Sequence, residues 1–366
     1  MNLSIGFCNF EYMKSKNYNV IGVMSGTSLD GVDLAHITFT YTNKWEFVFN
    51  ATETVPYSSK WEEILKKAVF YSNEQLQTLN IEYTQYLSQI ILDFIQQQGI
   101  QHLDFVSSHG HTVQHDPKNK HTLQIGNLPQ LATLIKKDVV CNFRVSDVQL
   151  GGHGAPLVPI GDAMLFYEYD YCINLGGFSN ISFSENNKRI AFDISPVNTV
   201  LNWYSSKMGF PYDEGGKIAA TGELNLKLYE ALNSIPFFNL KAPKSLGIEF
   251  VHQTILPLID SFQLDIPTIL HTFCKHVAHQ IGKVILTDSS KKMLITGGGV
   301  YNHFLISEIK KTVKAEVVLP SDDLISFKEA LIFAFLGVLR LENKVNILAS
   351  VTGAKMDHCS GEYFKP

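Results

Sequence analysis

Cysteine is scarce and unpatterned in this chain. Its five cysteines, Cys8, Cys141, Cys172, Cys274 and Cys359, are odd in number and show no C-x-x-C spacing. That argues against a disulfide framework and points to a reducing compartment, with cysteines serving as small buried hydrophobes. No apolar run reaches the roughly 18 residues that a membrane-spanning helix requires. Met1 to Lys16 have neither a basic start nor a sustained apolar stretch, so they do not read as a signal peptide. A cytoplasmic location is the expectation. Runs of Lys and Arg are missing and the net charge is −5, which leaves no reason to expect nucleic acid or a membrane surface as partner. Low-complexity segments and Pro- or Ser-rich linkers are absent too, so any lobes are closely coupled.

What remains is an ordinary globular composition punctuated by glycine turns. At 366 residues, 45% hydrophobic and 18% charged, the chain is long enough for two cores. Its most informative stretch is Gly22-Val23-Met24-Ser25-Gly26-Thr27-Ser28-Leu29-Asp30-Gly31-Val32-Asp33. An apolar run from Val20 to Met24 enters a turn of small residues and a second run, Val32 to Phe39, leaves it, which predicts a β-hairpin. Such a tip can wrap a polyphosphate, because glycine admits close approach and successive backbone N–H groups form an anion nest. Asp30 and Asp33, just behind, are candidate Mg²⁺ ligands, directly or through water. It is no Walker loop, lacking G-x-x-x-x-G-K-[ST] and a helix directly after the strand. An ordinary hairpin turn is the competing reading. The pattern recurs at Asn174-Leu175-Gly176-Gly177, after the apolar strand from Tyr171, and a third turn, Gly297-Gly298-Gly299, follows Met293-Leu294-Ile295. Three strand-ending glycine turns in this order suit a duplicated α/β fold that grips a nucleotide between lobes.

Periodicity predicts a strand from Trp45 to Pro56, helices over 61–71 and 76–98, and a short strand Phe105 to Ser107 ending at His109-Gly110. A helix over 128–136, a strand over 138–141 and a lobe crossing near Asn142 to Asp147 follow. Further on come helices over 196–208, 267–287 and 327–342, with a polar stretch over 224–247. The expected division is a leader (1–17), a first lobe (18–144) to which 348–366 return, and a second lobe (145–347).

The opening segment resembles the signature of the anhydro-N-acetylmuramic acid kinases, within the actin/hexokinase-like (RNase H-like) ATPase superfamily. Ser108-His109-Gly110-His111-Thr112, Asn142-Phe143-Arg144, Gly151-Gly152-His153-Gly154-Ala155-Pro156-Leu157-Val158-Pro159, Asp193-Ile194-Ser195-Pro196-Val197-Asn198 and Lys328-Glu329-Ala330 resemble the same family. The resemblance implies ATP-dependent, Mg²⁺-requiring opening of 1,6-anhydro-N-acetylmuramic acid, with water adding at C1 and phosphate at O6. It implies nucleotide contacts from Gly26 to Asp33, Asn174, Gly176, Gly177 and Gly297 to Gly299. Sugar contacts would come from His109, Gly110, His111, Arg144, Gly154, Ala155, Pro156 and Asn198. The chain departs from the commoner DTGPGN pattern, with Ile194, Ser195 and Val197 at the changed positions, and carries His111 and His153 where Gln is usual.

The chemistry needs a base for the water, and Asp193 is the candidate. It follows the strand Ile190 to Phe192 and precedes Ser195-Pro196, where a helix is expected, so it reads as a cleft-facing ionised carboxylate. By resemblance this is the family's catalytic aspartate; helix capping and metal coordination are the rival roles. Glu329 opens an apolar helix, as a cap or as a sugar contact. Arg144 could pair with Asp147, or hold a carboxylate or phosphate through its planar fork. The histidines His109, His111, His115 and His121 have no partnering Cys or Asp spacing for zinc. Two other function classes use the same loops: an ordinary hexosamine kinase or ATPase, and a non-catalytic nucleotide-gated sugar sensor. The retained Asp30, Asp33 and Asp193 argue against the sensor. The quaternary state, homodimer included, is left open.

The leader precedes every family-like segment and lacks the periodicity of a packed element. A chain starting at Met13 should therefore melt and turn over like the full chain. A melting temperature lower by several degrees, or loss of an oligomer, would show that Phe7, Phe10 and Tyr12 dock.

Overall fold

The computed structural model describes residues 16–26, 29–285 and 288–366; the leader through residue 15 and the tip residues Thr27 and Ser28 lie outside the described residues. The first sheet opens with an antiparallel meander of β1 (Lys16–Ser25), β2 (Gly31–Tyr41) and β3 (Trp45–Pro56), followed by β4 (Phe105–Asp116), β5 (His121–Ile125) and β6 (Val139–Cys141). The second contains β7 (Tyr171–Leu175), β8 (Phe178–Glu185), β9 (Lys188–Pro196), β10 (Lys292–Thr296) and β11 (Glu316–Val318). A closing strand, β12 (Glu362–Phe364), returns to the first sheet antiparallel to β6. Strand order is β3-β2-β1-β4-β6 in one sheet and β9-β8-β7-β10-β11 in the other. In both, three antiparallel strands precede two parallel ones. The two sheets repeat one order, the duplicated α/β arrangement expected from the glycine turns.

The helices that position the site are α1 (Asn73–Gln97), α2 (Phe143–Gln149), α3 (Pro159–Leu165), α4 (Asn198–Ser206), α5 (Ile266–Val284) and α6 (Asp322–Leu341). Ser72 and Gln75 start α1 with a capping box, and Leu79, Tyr83, Leu87 and Phe94 bury its inner stripe under the first sheet. On the second sheet, α5 buries Leu270, Phe273, Val277 and Ile281. Between the sheets lies α6, buried on every side from Ala330 to Leu339 except at its ends, its core shared with Val20 and Phe39 of one sheet and Cys172 and Leu294 of the other. A helix apolar all round is stable only when so enclosed. Contact is close: a Cβ on Gly22 of β1 would stand 2.1 Å from the Ala330 carbonyl oxygen, and one on Gly337 2.6 Å from Phe105 and Ser107.

Several expectations change. β4 does not stop at His109 but continues to Asp116, because β5 folds back beside it. The stretch expected to cross between lobes is α2, started by Asn142 in the left-handed region (φ 58°), and it stays with the first sheet, where Ser360 Oγ bonds the Phe143 carbonyl. The polar stretch 224–247 contains a helix, Leu226–Asn233, that buries Leu228 and Leu232. The apolar helix begins at Asp322, capped by Ser321, whose side chain accepts from Leu324 N; Pro320-Ser321-Asp322 was the overlooked start signal. Although it lies within 145–347, α6 packs mainly on the first sheet, along β1, β2 and β4, and meets the second at β10.

Gly22→Ala should lower stability by about 2 kcal/mol, because a methyl there overpacks β1 against α6. The check is the urea midpoint at unchanged slope; an unchanged midpoint would mean that the helix can retreat freely.

Candidate active site

The glycine turns all stand at the carboxyl ends of their strands. In the second lobe, Gly297 has φ 85°, and a Cβ on it would meet Asn174 Oδ1 at 2.5 Å and the Leu175 backbone at 2.9 Å. Gly299 is held as tightly, 2.7 Å from the Leu175 side chain, while a Cβ on Gly298 meets only Asn198 Nδ2 at 4.0 Å. Val197 N donates to Gly177 O (2.8 Å), Asn198 N to Gly176 O (3.3 Å), and Asn198 Nδ2 to Leu175 O (3.3 Å). Asn174, Gly176, Gly177, Asn198 and Gly297 to Gly299 thus form one patch. Asn198, expected beside the sugar, belongs to this glycine cluster.

The same patch includes a segment that sequence reasoning missed. Asp213 accepts from Ile218 N (2.7 Å) and Ala219 N (2.9 Å), folding Glu214-Gly215-Gly216-Lys217 against the third glycine turn. Gly215 and Gly216 have φ 68° and 73°, and a Cβ on Gly216 would stand 2.2 Å from Asn302 Oδ1. The signal was present as two glycines directly after an acidic pair.

In the first lobe, β1 and β2 pair from Lys16↔Tyr41 to Met24↔Asp33, leaving 26–30 as the tip. Leu29 is left-handed (φ 62°), and Gly31 passes so near β3 that a Cβ would meet Val55 O at 2.4 Å. Val32 is buried. Asp30 is exposed, whereas Asp33 is half-buried and accepts from Thr54 Oγ1 (2.6 Å). Burial lifts the Asp33 carboxyl above its usual range, the Thr54 bond opposes this, and the Asp30 charge adds to it.

Beside this tip, β4 kinks at Gly110 (φ 72°), where a Cβ would meet Ile125 O at 2.6 Å. The kink brings His111 Nδ1 to 2.9 Å from Ser25 Oγ, which in turn lies 2.6 Å from Tyr57 OH. His109 donates from Nδ1 to Gly110 O (2.8 Å) and accepts at Nε2 from Arg144 Nε (2.9 Å), fixing a neutral tautomer. Arg144 Nη1 donates to Gly154 O (2.5 Å). Asp147 does not bond Arg144; it accepts from Gly154 N and from Thr352 Oγ1, both 2.7 Å, and so shapes the glycine loop. Ala155 is half-buried and Pro156 exposed at the loop's end, joined by a cis peptide. Burial draws the Arg144 guanidinium down to about 10, opposed by Glu329 and Asp147. Among the described residues Arg144 makes no ion pair within 4 Å, so its outer nitrogen is available to an anion.

Both candidate carboxylates stand differently from expectation. Asp193 lies inside β9, half-buried, paired with Asn180, and α4 begins five residues later behind Val197, which supplies no side-chain cap. It is therefore not a helix cap; Oδ2 accepts from Leu246 N (2.8 Å). Burial raises its carboxyl above the usual range, opposed by the Leu246 N–H. Glu329 is not in a first turn. It lies beyond a kink at Phe327 (φ −111°) in α6, open to solvent yet flanked by protein, so desolvation raises its carboxyl; Arg144 and Lys328 oppose this and Asp33 adds to it. The fold brings Asp33, Arg144 and Glu329 within electrostatic reach, with His109 and His111 behind. Asp193 is not among the charges that act on them; it lies on β9 of the second sheet, with no ion pair among the described residues.

The sequence profile of the anhydro-N-acetylmuramic acid kinases matches residues 18–366. The chain belongs to that family. Among similar relatives, the anhydro-N-acetylmuramic acid kinase of Saccharophagus degradans is 32% identical over 94% of this chain and 98% of its own length. That of Francisella tularensis subsp. novicida is 32% identical over 92% and 95%. Among solved structures, the activator of 2-hydroxyisocaproyl-CoA dehydratase from Clostridium difficile with bound ADPNP aligns at TM-score 0.43 and 12% identity, covering 88% of this chain and 97% of that one. Its family membership makes this chain a kinase, a phosphotransferase.

The departures from DTGPGN are absorbed inward, and so is His111, whereas His153 is exposed. Ile194, Ser195 and Val197 are all buried, and Ser195 N donates to Ser179 Oγ (3.1 Å), so the altered loop fills core space. At the other substitution, burial pulls the His111 imidazole down to about 4. A histidine neutral in the fold but ordinary when unfolded stabilises fully above about pH 6.5, and that contribution is lost as the pH falls toward 4. His111→Gln should fold, and should flatten the stability change between pH 6.5 and 4 by roughly 3 kcal/mol. Parallel pH curves for the two proteins would refute the assignment.

Proposed function

We propose that this kinase opens the 1,6-anhydro ring hydrolytically. Water attacks C1, the C1–O bond of the bridge breaks, and O6 takes the γ-phosphoryl group of ATP, giving N-acetylmuramic acid 6-phosphate and ADP. The cytoplasm, where ATP is supplied, is the place for it. The observation that carries the reading is Asp193: a half-buried carboxylate with a backbone N–H donor, no ion pair among the described residues and an affinity for protons raised by burial. Such a group can take the proton of a water aligned on C1.

The polyphosphate lies against the backbone of Gly26 to Asp33 and of Gly176 and Gly177, with the adenosine along Gly297 to Gly299. Arg144, held by His109 and the Gly154 carbonyl, turns its outer nitrogen to the lactyl carboxylate, the anion that this uncompensated guanidinium lacks. His111, Gly110, Ala155 and Pro156 line the sugar, and Glu329 accepts from a sugar hydroxyl. Asp30 and Asp33 suit Mg²⁺ in donor chemistry: they are hard oxygen donors whose mutual repulsion a cation relieves. Among the described residues no three His, Cys, Asp or Glu side chains could hold a metal by themselves, which fits an ion bound mainly by phosphate and water. When bound, Mg²⁺ would neutralise charge on the transferring phosphate.

Turnover in H₂¹⁸O should place one labelled oxygen on C1 of the sugar phosphate. Asp193→Asn should reduce kcat by roughly 10²–10⁴-fold with little change in ATP affinity. Label-free product would instead indicate an ordinary sugar kinase, and near-normal turnover of the variant would remove Asp193 as the base.

A further inference from the structure

Behind the site lies a buried charged cluster that the chemistry above does not use. Asp162 of α3, Arg189 of β9 and Lys328 of α6 have side chains only 5%, 6% and 7% exposed. Lys328 Nζ is 2.7 Å from Asp162 Oδ1, and Arg189 Nη2 is 3.8 Å from Asp162 Oδ2. Ser182 bridges them, donating to Asp162 and accepting from Arg189 Nη2 (2.7 Å). Two cations thus share one carboxylate away from water, and Arg189 Nε has no hydrogen-bond partner. Buried ion groups are weak contributors to stability, and apolar side chains of similar volume would often serve packing as well. What a directional cluster offers in return is a fixed register between the elements that carry it.

Those elements are the ones that bear the reacting groups. Lys328 and Glu329 are consecutive on α6, so a turn of about 100° separates them; Lys328 points inward to Asp162 while Glu329 opens to solvent. Arg189 and Asp193 are four apart on β9, ahead of its irregularity, and so share one face. Asp162 follows the Gly154 to Pro156 loop that meets Arg144. We infer that the Asp162–Arg189–Lys328 cluster is a positioning device for the reaction, holding Glu329 and Asp193 in one register across the lobes. This rests on the proposed roles of those two carboxylates.

The test uses the full chain with ATP and 1,6-anhydro-N-acetylmuramic acid, assayed well below each variant's melting temperature. Lys328→Met should lower kcat by at least about 10-fold while the KM for ATP stays within about 2-fold, since misplacement costs transition-state alignment and not nucleotide binding. Lys328→Arg should restore kcat to within about 3-fold. The double variant Asp162→Asn with Lys328→Met keeps the cluster's net charge, and should recover melting temperature but not kcat. A lower melting temperature with unchanged kcat would show a purely structural cluster and overturn the inference. If Lys328→Met does not fold, the double variant decides: wild-type kcat overturns the inference and low kcat supports it. Glu329→Gln and Asp193→Asn separate the two levels. Wild-type kcat in both would defeat the functional reading and the positioning with it, whereas loss in both without loss in Lys328→Met would defeat the positioning alone.

Discussion

Everything in this molecule is referred to one buried helix. Between Ala330 and Leu339, α6 is enclosed by the two sheets, touching β1 closely enough that Gly22 has no room for a methyl group. It packs along β1, β2 and β4 of the first sheet and meets the second at β10, while α3 packs on β8 and β9. The two sheets therefore share this core element, and Lys328, near its amino-terminal part, is tied to Asp162 of α3.

That placement explains the electrostatics. The Asp33 charge opposes that of Glu329, and Arg144, which makes no ion pair among the described residues, partly offsets it. Asp147, which could have neutralised it, is spent on the Gly154 and Thr352 groups that shape the loop. The result is a site with unsatisfied charge of both signs, suited to a substrate that brings an anion and to phosphates that bring a cation. On β9, Asp193 is desolvated and has no ion pair among the described residues, so burial raises its proton affinity.

Local signals were legible where physics is local. The β1–β2 hairpin, the glycine turns after β7 and β10 and the capped amphipathic α1 follow from turn chemistry and periodicity, and the structure has them. β4 was cut short because a kink at Gly110 reads as a strand end, and only its pairing with β5 carries the strand through. The start of α6 lies upstream of its apolar run, at Ser321, where polar residues fill the first turns, and Pro196, a usual first-turn residue, instead ends β9.

The sequence by itself determined the family, the duplicated fold and the residue types available for the chemistry, since long motifs and strand-ending glycines constrain neighbours along the chain. Only the tertiary structure decided which of those residues meet. That Arg144 bonds His109 and not Asp147, that Asn198 joins the glycine patch, and that Lys328 faces Asp162 while its neighbour Glu329 is open to solvent depend on contacts between residues far apart in sequence. Burial, which sets the proton affinities of Asp193 and Glu329, is likewise a property of the packed whole, because desolvation counts every atom that displaces water, wherever in the chain it comes from.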